Sequence, residues 1–261
     1  MGDRCSFQDL TKDYVTASEI AQQPRLWADT LAFFSRDRGH VSAFLAAPLA
    51  KSNVRIIITG AGTSAYVGEI VAPYLHRKLG VRVEPIATTD IVANPQDYFE
   101  SDTPTILVSC ARSGNSPESV AAYDLAEQCV RDLYQVVITC NKGGLLAGKA
   151  ADQSNALLLL MPEESDDKGL AMTSSFSCML LSLLLLFDLK HFDENERRVQ
   201  KVIADSQVLV ANYGDSIRDM AHTGFERIVY LGSSALKALA REAALKTLEL
   251  SSGRVTAVSE S

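Results

Sequence analysis

The chain has 261 residues, of which 47% are hydrophobic and 22% charged, and its formal net charge is −7. This composition is that of a globular protein and excludes a disordered tail, a collagen-like chain and a coiled-coil rod. The acidic charge and the lack of a lysine or arginine cluster also argue against a nucleic-acid-binding protein. At about 150 residues per domain, the length allows roughly two domains.

Residues 1–44 are predicted to form an N-terminal helical segment. Apolar residues and Trp27 recur at helical spacing over residues 17–48, with Pro24 near the predicted start and Pro48 near the end. Residues 1–9 are polar and contain no apolar signal core, which favours a cytoplasmic protein.

Residues 45–197 are predicted to form a first α/β domain. Short apolar runs alternate with helical patterns, as in a parallel sheet that is covered on both faces. We therefore predict a three-layer sandwich around a five-stranded parallel sheet. The predicted strands cover residues 54–59, 81–87, 105–109, 135–139 and 156–161. The predicted helices between them cover residues 64–78, 116–130 and about 145–150.

The most apolar segment lies at residues 176–187 and follows Thr173, Ser174 and Ser175. It is shorter than the roughly 20 residues that a membrane-spanning helix needs, so we predict a buried helix and no membrane partner. Leucines lie on nearly every side of it, and one sheet face can cover only part of such a helix. We therefore expect the remainder to contact a second domain or a second copy, as in a homo-oligomer.

Residues 198–222 are predicted to form a connecting helix, and residues 223–261 to begin a second, truncated α/β domain. A strand is predicted at 227–231 (RIVYL), then a helix and a short strand at 255–258. The Gly62-Thr63-Ser64 run aligns with Gly232-Ser233-Ser234 at an offset of 170 residues, which indicates a repeat. Strand 227–231 is expected to be an unpaired edge.

The cysteines and histidines give no indication of a metal site. The five cysteines form no CxxC pair, and their odd number and apolar neighbours predict reduced, mostly buried thiols. The histidines are scattered along the chain. The cysteines are Cys5, Cys110, Cys129, Cys140 and Cys178, and the histidines are His40, His76, His191 and His222.

Two predicted strand ends lead into loops that combine glycine with hydroxyl groups. The first loop is GAGTS at residues 60–64, and the second is RSGNS at 112–116, followed by Pro117. Ligands of open parallel sheets bind beyond the carboxyl ends of the strands, where helix N-termini attract anions. With the hydroxyl run at 173–175, the pattern predicts a site for a compact phosphate monoester.

Two other interpretations of these loops remain open. Residues 60–65 match the dinucleotide fingerprint G-x-G-x-x-A, with Glu84 or Asp90 as its acidic partner, which would indicate an NAD-dependent oxidoreductase. Alternatively, Ser64 and Ser116 are simple helix caps.

The helix after strand 227–231 carries Glu242, Lys246 and Glu249 at positions i, i+4 and i+7. At about 100° per residue, these side chains form one stripe. Such a stripe is often an ordinary solvated face, but alanines and leucines flank this one. A charged row with apolar flanks can act as a shielded acid–base group.

Taken together, these motifs resemble the SIS (sugar isomerase) fold. GAGTS, ARSGNSPES and AMTSS are similar to motifs of the isomerase half of glucosamine-6-phosphate synthase. They are more similar still to the galactosamine-6-phosphate deaminase/isomerase group, formerly called tagatose-6-phosphate ketose/aldose isomerases. SEIAQQPRLW at residues 18–27 resembles the opening of that group. The resemblance covers essentially the whole chain and implies one flavodoxin-like SIS domain and the start of a second.

The resemblance also implies substrate-binding residues. Contacts to the phosphate or the sugar are implied for Thr63, Ser64, Ser113 and Ser116, with Thr173 near the sugar. The synthase has Ser-Gln before its Ser-Gly pair, whereas this chain has Ala111 and Arg112. Arg112 is therefore a candidate for binding the phosphate through its guanidinium group.

The E-x-x-x-K-x-x-E order resembles the catalytic helix of the synthase. By that resemblance, Glu249 moves a proton between neighbouring sugar carbons, Lys246 stabilises charge on the sugar oxygen, and Glu242 holds Lys246 or helps to open the ring. The implied reaction converts galactosamine 6-phosphate to tagatose 6-phosphate and ammonia, without a metal or an organic cofactor. A non-catalytic sugar-phosphate sensor is the alternative. Because an incomplete second sheet would leave this helix without support, we expect the chain alone to be a poor catalyst.

Overall fold

The computed structural model describes residues 7–261, so that Cys5 and the first part of the polar N-terminus lie outside the described residues. The described chain begins with helices α1 (Phe7–Asp13) and α2 (Val15–Leu49). Within the predicted helical segment, sequence analysis did not identify α1 as a separate helix. Its placement of Pro24 near the start of a helix is wrong, because Pro24 lies inside α2. Proline has no N–H to donate to the carbonyl four residues earlier, that of Ile20. The Gln23 side chain satisfies this carbonyl instead, with Nε2 3.3 Å from the Ile20 oxygen.

The five-stranded parallel sheet is confirmed, with strand order β2-β1-β3-β4-β5. Every residue of β1 and β3 is buried, as expected of central strands that are covered on both faces. The strands are β1 (Arg55–Gly60), β2 (Arg82–Ala87), β3 (Thr105–Ala111), β4 (Leu133–Thr139) and β5 (Ala156–Leu160).

Helices cover both faces of this sheet. On one face α2, α3 (Thr63–Leu79) and α7 (Ser174–Leu186) pack on alternate strand residues such as Ile56 and Ile58. On the other face lie three shorter helices, which pack on residues such as Ile57 and Val137. They are α4 (Thr88–Ala93), α5 (Pro117–Cys129) and α6 (Leu145–Ala151). Sequence analysis missed α4, which has only six residues. Single 3-10 turns occur at Pro95–Asp97, Glu163–Ser165 and Leu189–His191.

The apolar helix α7 is buried on one face and half-buried on the other, so the predicted burial on every side is not seen in this chain. It packs on α2, α3 and β4. Beside it runs an apolar groove of about 240 Å³, lined by residues such as Trp27, Leu180 and Val202. No single helix within residues 7–261 is long and apolar enough to cross a membrane. Helix α7 and the helical segment that follows it reach the required length and hydropathy only when they are taken together, and the two are bent by 89° relative to each other.

The C-terminal part consists of α8 (Phe192–Ala221), β6 (Arg227–Leu231), α9 (Ala235–Leu250) and β7 (Thr256–Glu260). Strand β6 pairs with β7 in parallel, so the expectation that it is unpaired is wrong. The α9 crossover brings the two strands together, as helical crossovers do for parallel strands.

The repeat between the two strand–helix units exists, but its predicted alignment is wrong by two residues. The first residues of β1 and β6, Arg55 and Arg227, lie 172 positions apart, and so do the first residues of α3 and α9. Backbone geometry supports this alignment, because Gly62 and Ser234 cap the two helices with nearly the same dihedral angles (φ 56° and 52°, ψ −127° in both). The hydroxyl residues therefore occupy different positions in the two units.

Candidate functional site

The candidate site lies beyond the carboxyl ends of β1 and β3, which are neighbours in the sheet. The chain leaves β1 toward α3 on one face and leaves β3 toward α5 on the opposite face. Such a reversal opens a crevice between the two loops, where ligands of open α/β sheets bind. The loops that the sequence singled out, residues 60–64 and 112–116, are the two that border this crevice.

The first loop is shaped by two glycines. A Cβ on Gly60 would lie 2.7 Å from the Ser64 backbone, so only glycine lets the chain turn this tightly into α3. Gly62 has a φ of 56°, a backbone conformation that residues other than glycine adopt only at an energetic cost. The turn leaves Thr63 and Ser64 buried at the start of α3.

The second loop is held from its sides and presents one exposed hydroxyl. Ser113 is exposed, its Oγ accepts a hydrogen bond from the Asn115 amide, and its carbonyl accepts one from the Asn141 side chain. Ser116 occupies the N-cap position of α5, and its Oγ donates to Ser119 at 2.7 Å. Asn141, at the exit of β4, was not predicted to take part, because its role depends on the pairing of β3 with β4.

Glu242, Lys246 and Glu249 form one cluster together with Thr63. The Thr63 hydroxyl donates to Glu242 Oε1 at 3.2 Å and accepts from Lys246 Nζ at 2.9 Å. Lys246 Nζ also lies 2.6 Å from Glu249 Oε2 and 3.4 Å from Glu242 Oε1. Sequence analysis predicted the stripe and assigned Thr63 to the sugar phosphate. In the structure the Thr63 hydroxyl contacts Glu242 and Lys246, and its contact to a sugar phosphate stays a prediction.

The three charged side chains differ in burial. Glu242 is only 3% exposed, and burial raises its pKa to about 7, although the ammonium of Lys246 and the bond from Thr63 act in the opposite direction. Its Oε2 is buried and accepts no hydrogen bond from the described residues. Lys246 and Glu249 are half-buried, so a ligand can reach them.

Helix α9 is supported by α3 of the first domain. Arg241 forms an ion pair with Glu69 at 2.6 Å, and its guanidinium lies over the Tyr66 ring, 5.4 Å from the centroid. On its other side, α9 is attached to β6 through a hydrogen bond between Tyr230 and Thr247. The expectation that the helix would lack support is therefore wrong.

The hydroxyl run at the start of α7 is bound by an internal carboxylate. Asp167 accepts hydrogen bonds from the amides of Thr173, Ser174 and Ser175 and from the hydroxyls of Thr173 and Ser175. This helix start is thus capped by the chain itself. That Thr173 lies near a sugar stays a prediction.

Arg112 is held by the loop between β5 and α7. Its Nη1 donates to the carbonyl oxygen of Gly169 at 3.3 Å, and the residue is half-buried. Of the two acidic residues proposed for a dinucleotide site, one is engaged in ion pairs and the other is exposed to solvent. Glu84 pairs with Arg55 at 2.7 Å and with Arg82 at 2.8 Å, and Asp90 is exposed in the first turn of α4.

Three of the four described cysteines lie in the core. Cys110, Cys140 and Cys178 are buried free thiols whose pKa is raised to about 12 by burial, and Cys129 is half-buried. Over the part of the chain that the structure describes, no group of three or more His, Cys, Asp or Glu residues is arranged to hold a metal ion.

Comparison with known proteins gives a consistent result. The SIS domain family matches residues 48–189. A D-galactosamine-6-phosphate deaminase AgaS from Shewanella sp. (strain ANA-3) is 44% identical over 249 residues, which cover 94% of this chain and 63% of that protein. The chain thus spans less than two thirds of the length of this relative.

Two solved structures are similar over most of this chain. The tagatose-6-phosphate ketose/aldose isomerase from Escherichia coli has a TM-score of 0.91 and 42% identity, over 95% of this chain and 67% of that chain. The glucosamine-6-phosphate deaminase from Thermotoga maritima has a TM-score of 0.75 over 94% of this chain and 69% of that chain. Its identity of 22% supports a common fold alone.

Proposed function

Because the chain belongs to the SIS domain family, we propose that it is a deaminase/isomerase that converts galactosamine 6-phosphate to tagatose 6-phosphate and ammonia. The single observation that carries this proposal is the Glu242–Lys246–Glu249 cluster, which contacts Thr63 at the edge of the crevice. The relatives named for galactosamine-6-phosphate deaminase and tagatose-6-phosphate isomerase activities support this choice of substrate.

The phosphate is proposed to bind between the two loops. Ser64, Ser113 and Ser116 supply hydroxyl groups, and the starts of α3 and α5 add backbone N–H groups and the positive ends of two helix dipoles. Arg112 adds a cation from the β5–α7 side. A protein with a net charge of −7 can bind an anion in this way, because the local dipoles lie closer to it than the distant charges do.

The chemical step is a proton transfer followed by hydrolysis. In the open-chain sugar the Glu249 carboxylate removes the proton from C2, the C2–H electrons form a C1–C2 double bond, and the C1=O π electrons move to the oxygen, which takes a proton from water, so that an enolamine results. The same carboxyl group returns its proton to C1 while the nitrogen lone pair forms the C2=N bond, and loss of one N–H proton to water leaves an imine at C2. Water adds to this imine carbon, and the C–N bond breaks to release ammonia. The product is the 2-ketose phosphate.

The neighbours of Glu249 support this step. Lys246, whose Nζ lies 2.6 Å from Glu249 Oε2, stabilises negative charge that develops on the sugar oxygen. Glu242 holds Lys246 from the buried side, and with a pKa of about 7 it can also exchange a proton during ring opening. A non-catalytic sugar-phosphate sensor would not require a group that transfers protons, so this cluster favours the enzyme.

Further aspects of the proposal concern organisation and location. We divide the chain into a helical segment (1–44), a first SIS domain (45–197), a connecting helix (198–222) and the beginning of a second SIS domain (223–261). We propose a homo-oligomer, because apolar surface remains on α7 and α8. A cytoplasmic location fits the buried free thiols and a phosphorylated substrate.

The test is a coupled ammonia assay with galactosamine 6-phosphate on the purified chain. Glu249→Gln should reduce turnover by roughly 10²-fold or more, because the base is lost, and should retain sugar-phosphate binding in calorimetry. Glu226→Gln, at an exposed position before β6, is the matched control and should behave like the wild type.

A second arm tests the phosphate site. The double variant Ser113→Ala/Ser116→Ala should lose affinity, at roughly 1.5–3 kcal/mol for each hydrogen bond to the charged group. Turnover that survives Glu249→Gln would refute the catalytic assignment. Binding of the sugar phosphate by the wild type without any turnover would favour the sensor.

A further inference from the structure

The segment at residues 18–27 of α2 (SEIAQQPRLW) has no role in the proposed chemistry, yet it holds the loop between β5 and α7. Glu19 is 5% exposed, and its Oε1 accepts hydrogen bonds from the amides of Lys168 at 2.5 Å and Gly169 at 3.0 Å. Its Oε2 is buried and accepts no hydrogen bond from the described residues. Burial of a carboxylate costs free energy unless hydrogen bonds or an opposite charge compensate for it. The hydrogen bonds of Glu19 to the loop therefore indicate a role other than packing.

Hydrogen bonds of Gln22 and Ser174 attach the two ends of the same loop to α2. Gln22 Nε2 donates to the carbonyl of Glu164 at 3.0 Å and to the Ser174 hydroxyl at 3.1 Å. The Ser174 hydroxyl in turn donates to the carbonyl of Glu19 at 2.9 Å. The loop is thus attached to α2 at its beginning, its middle and its end.

The middle attachment leads directly to the candidate site. The amide of Gly169 binds Glu19, and the carbonyl of the same residue accepts the hydrogen bond from Arg112 Nη1. A Cβ on Gly169 would lie 2.7 Å from Thr16 Oγ1 and 2.8 Å from Glu19 Oε2, so a larger residue at this position would have to displace these two side-chain ends. Glu19, Gly169 and Arg112 form one continuous chain of contacts.

We propose that Glu19 is a positioning residue that fixes the Lys168–Gly169 backbone and thereby orients Arg112 toward the phosphate of the substrate. This inference rests on the proposed function for the identity of the ligand. Within the described residues, Arg112 uses only Nη1 in a hydrogen bond, so its other N–H groups are available to phosphate oxygens. Arg112 is the group that contacts the ligand, and Glu19 acts through it.

The first experiment compares Glu19→Ala with Glu19→Gln. The alanine variant loses the acceptor for both amides and should raise the KM for galactosamine 6-phosphate by on the order of tenfold, with kcat within about twofold, because the displaced group binds substrate rather than moves the proton. The glutamine variant keeps an oxygen at the Oε1 position and should restore a KM near that of the wild type. A purely structural role would lower thermal stability without separating KM from kcat.

The second experiment is a double-mutant cycle with Arg112→Ala. If Glu19 acts through Arg112, Glu19→Ala should change KM by less than about twofold in the Arg112→Ala background. Equal effects of Glu19→Ala in both backgrounds would overturn the proposal. If Glu19→Ala does not fold, Gly169→Ala takes its place in the cycle, because its methyl group would push the Glu19 carboxylate away from this backbone. Arg25→Gln, which removes exposed ion pairs to Asp29 and to Glu164 of the same loop, is the matched control.

Amide hydrogen exchange separates this inference from the proposed function. In Glu19→Ala, the amides of Lys168 and Gly169 should exchange at least about tenfold faster than in the wild type, while the core strands stay unchanged. This measurement needs no substrate. Wild-type protein without turnover would refute the proposed function alone, whereas unchanged exchange at these two amides would refute the positioning role alone.

Discussion

Thr63 shows how the tertiary structure can add contacts that the sequence motif around a residue does not indicate. Its position at the start of a helix after a glycine-rich loop predicted a contact to the sugar phosphate. The docking of α9 on α3 places Glu242 and Lys246 around its hydroxyl, which donates to the carboxylate and accepts from the ammonium. Thr63 therefore connects the loop at residues 60–64 with the charged cluster on α9.

Glu242 should make the stability of the protein depend on pH in a defined direction. Its pKa is raised from 4.5 to about 7, chiefly by burial, so the folded state binds its proton more tightly than the unfolded state does. The stabilising effect of that proton is fully present below about pH 4.5 and is lost as the pH rises through about 7. Glu242→Gln, which cannot ionise, should therefore gain stability relative to the wild type between about pH 5.5 and pH 8, by on the order of 2–3 kcal/mol.

The measurement is urea unfolding of both proteins at the two pH values. Glu118→Gln, at a half-buried position in the first turn of α5, is a control for removing a carboxylate without this burial. A stability difference between wild type and Glu242→Gln that does not change with pH would contradict the raised pKa.

At the scale of elements, α7 depends on a carboxylate outside the helix. The first N–H groups of a helix have no partner within it. Here Asp167, which is 5% exposed, binds the amides of Thr173, Ser174 and Ser175. Its negative charge also lies at the positive end of the helix dipole. The loop between β5 and α7 is thereby folded back toward the site.

Asp167→Ala should destabilise the protein by roughly 2–4 kcal/mol, because three amides and two hydroxyls lose a charged acceptor in a buried place. Thermal or urea unfolding measures this loss. Asp166→Ala, one residue earlier, removes an ion pair with the exposed ammonium of Lys168 and should cost less than about 1 kcal/mol. Equal effects of the two substitutions would show that Asp167 is not the cap that the geometry indicates.

At the scale of the whole molecule, apolar surface is concentrated on the C-terminal helices. Along α8, large apolar side chains at spacings of three, four and seven residues form one exposed stripe, although the helix is otherwise rich in charge. These residues are Val202, Leu209, Tyr213, Ile217 and Met220. Exposed apolar stripes of this length are typical of surfaces that associate.

We expect the purified chain to self-associate through this stripe. Tyr213→Lys/Ile217→Lys places two charges in its middle and should shift sedimentation toward the monomer and reduce the binding of an apolar dye. The matched control Asn212→Lys/Ser216→Lys adds the same charge at the edge of the stripe and should have a smaller effect. A wild-type chain that sediments strictly as a monomer would contradict the expectation.

Each strand end could be predicted to within two residues, because buried parallel strands are nearly continuous apolar runs and such runs are a local feature of the sequence. The charged stripe on α9 was predictable for a similar reason, since helical spacing alone puts Glu242, Lys246 and Glu249 on one side of the helix. Short α4 and the start of α2 were missed, because six residues carry little periodicity and because the Gln23 side chain compensates for Pro24 inside a helix.

The sequence by itself determined the fold class, the two loops at the strand ends and the charged stripe, because each depends on residues that are close in the chain. Only the tertiary structure decided which groups meet. Thr63 contacts Lys246, which lies 183 residues later in the sequence, and Glu19 contacts Gly169, which lies 150 residues later. Burial, which raises the pKa of Glu242, likewise depends on how α9 packs on α3. Contacts and burial of this kind arise from the packing of whole elements, and no local pattern of residue types encodes them.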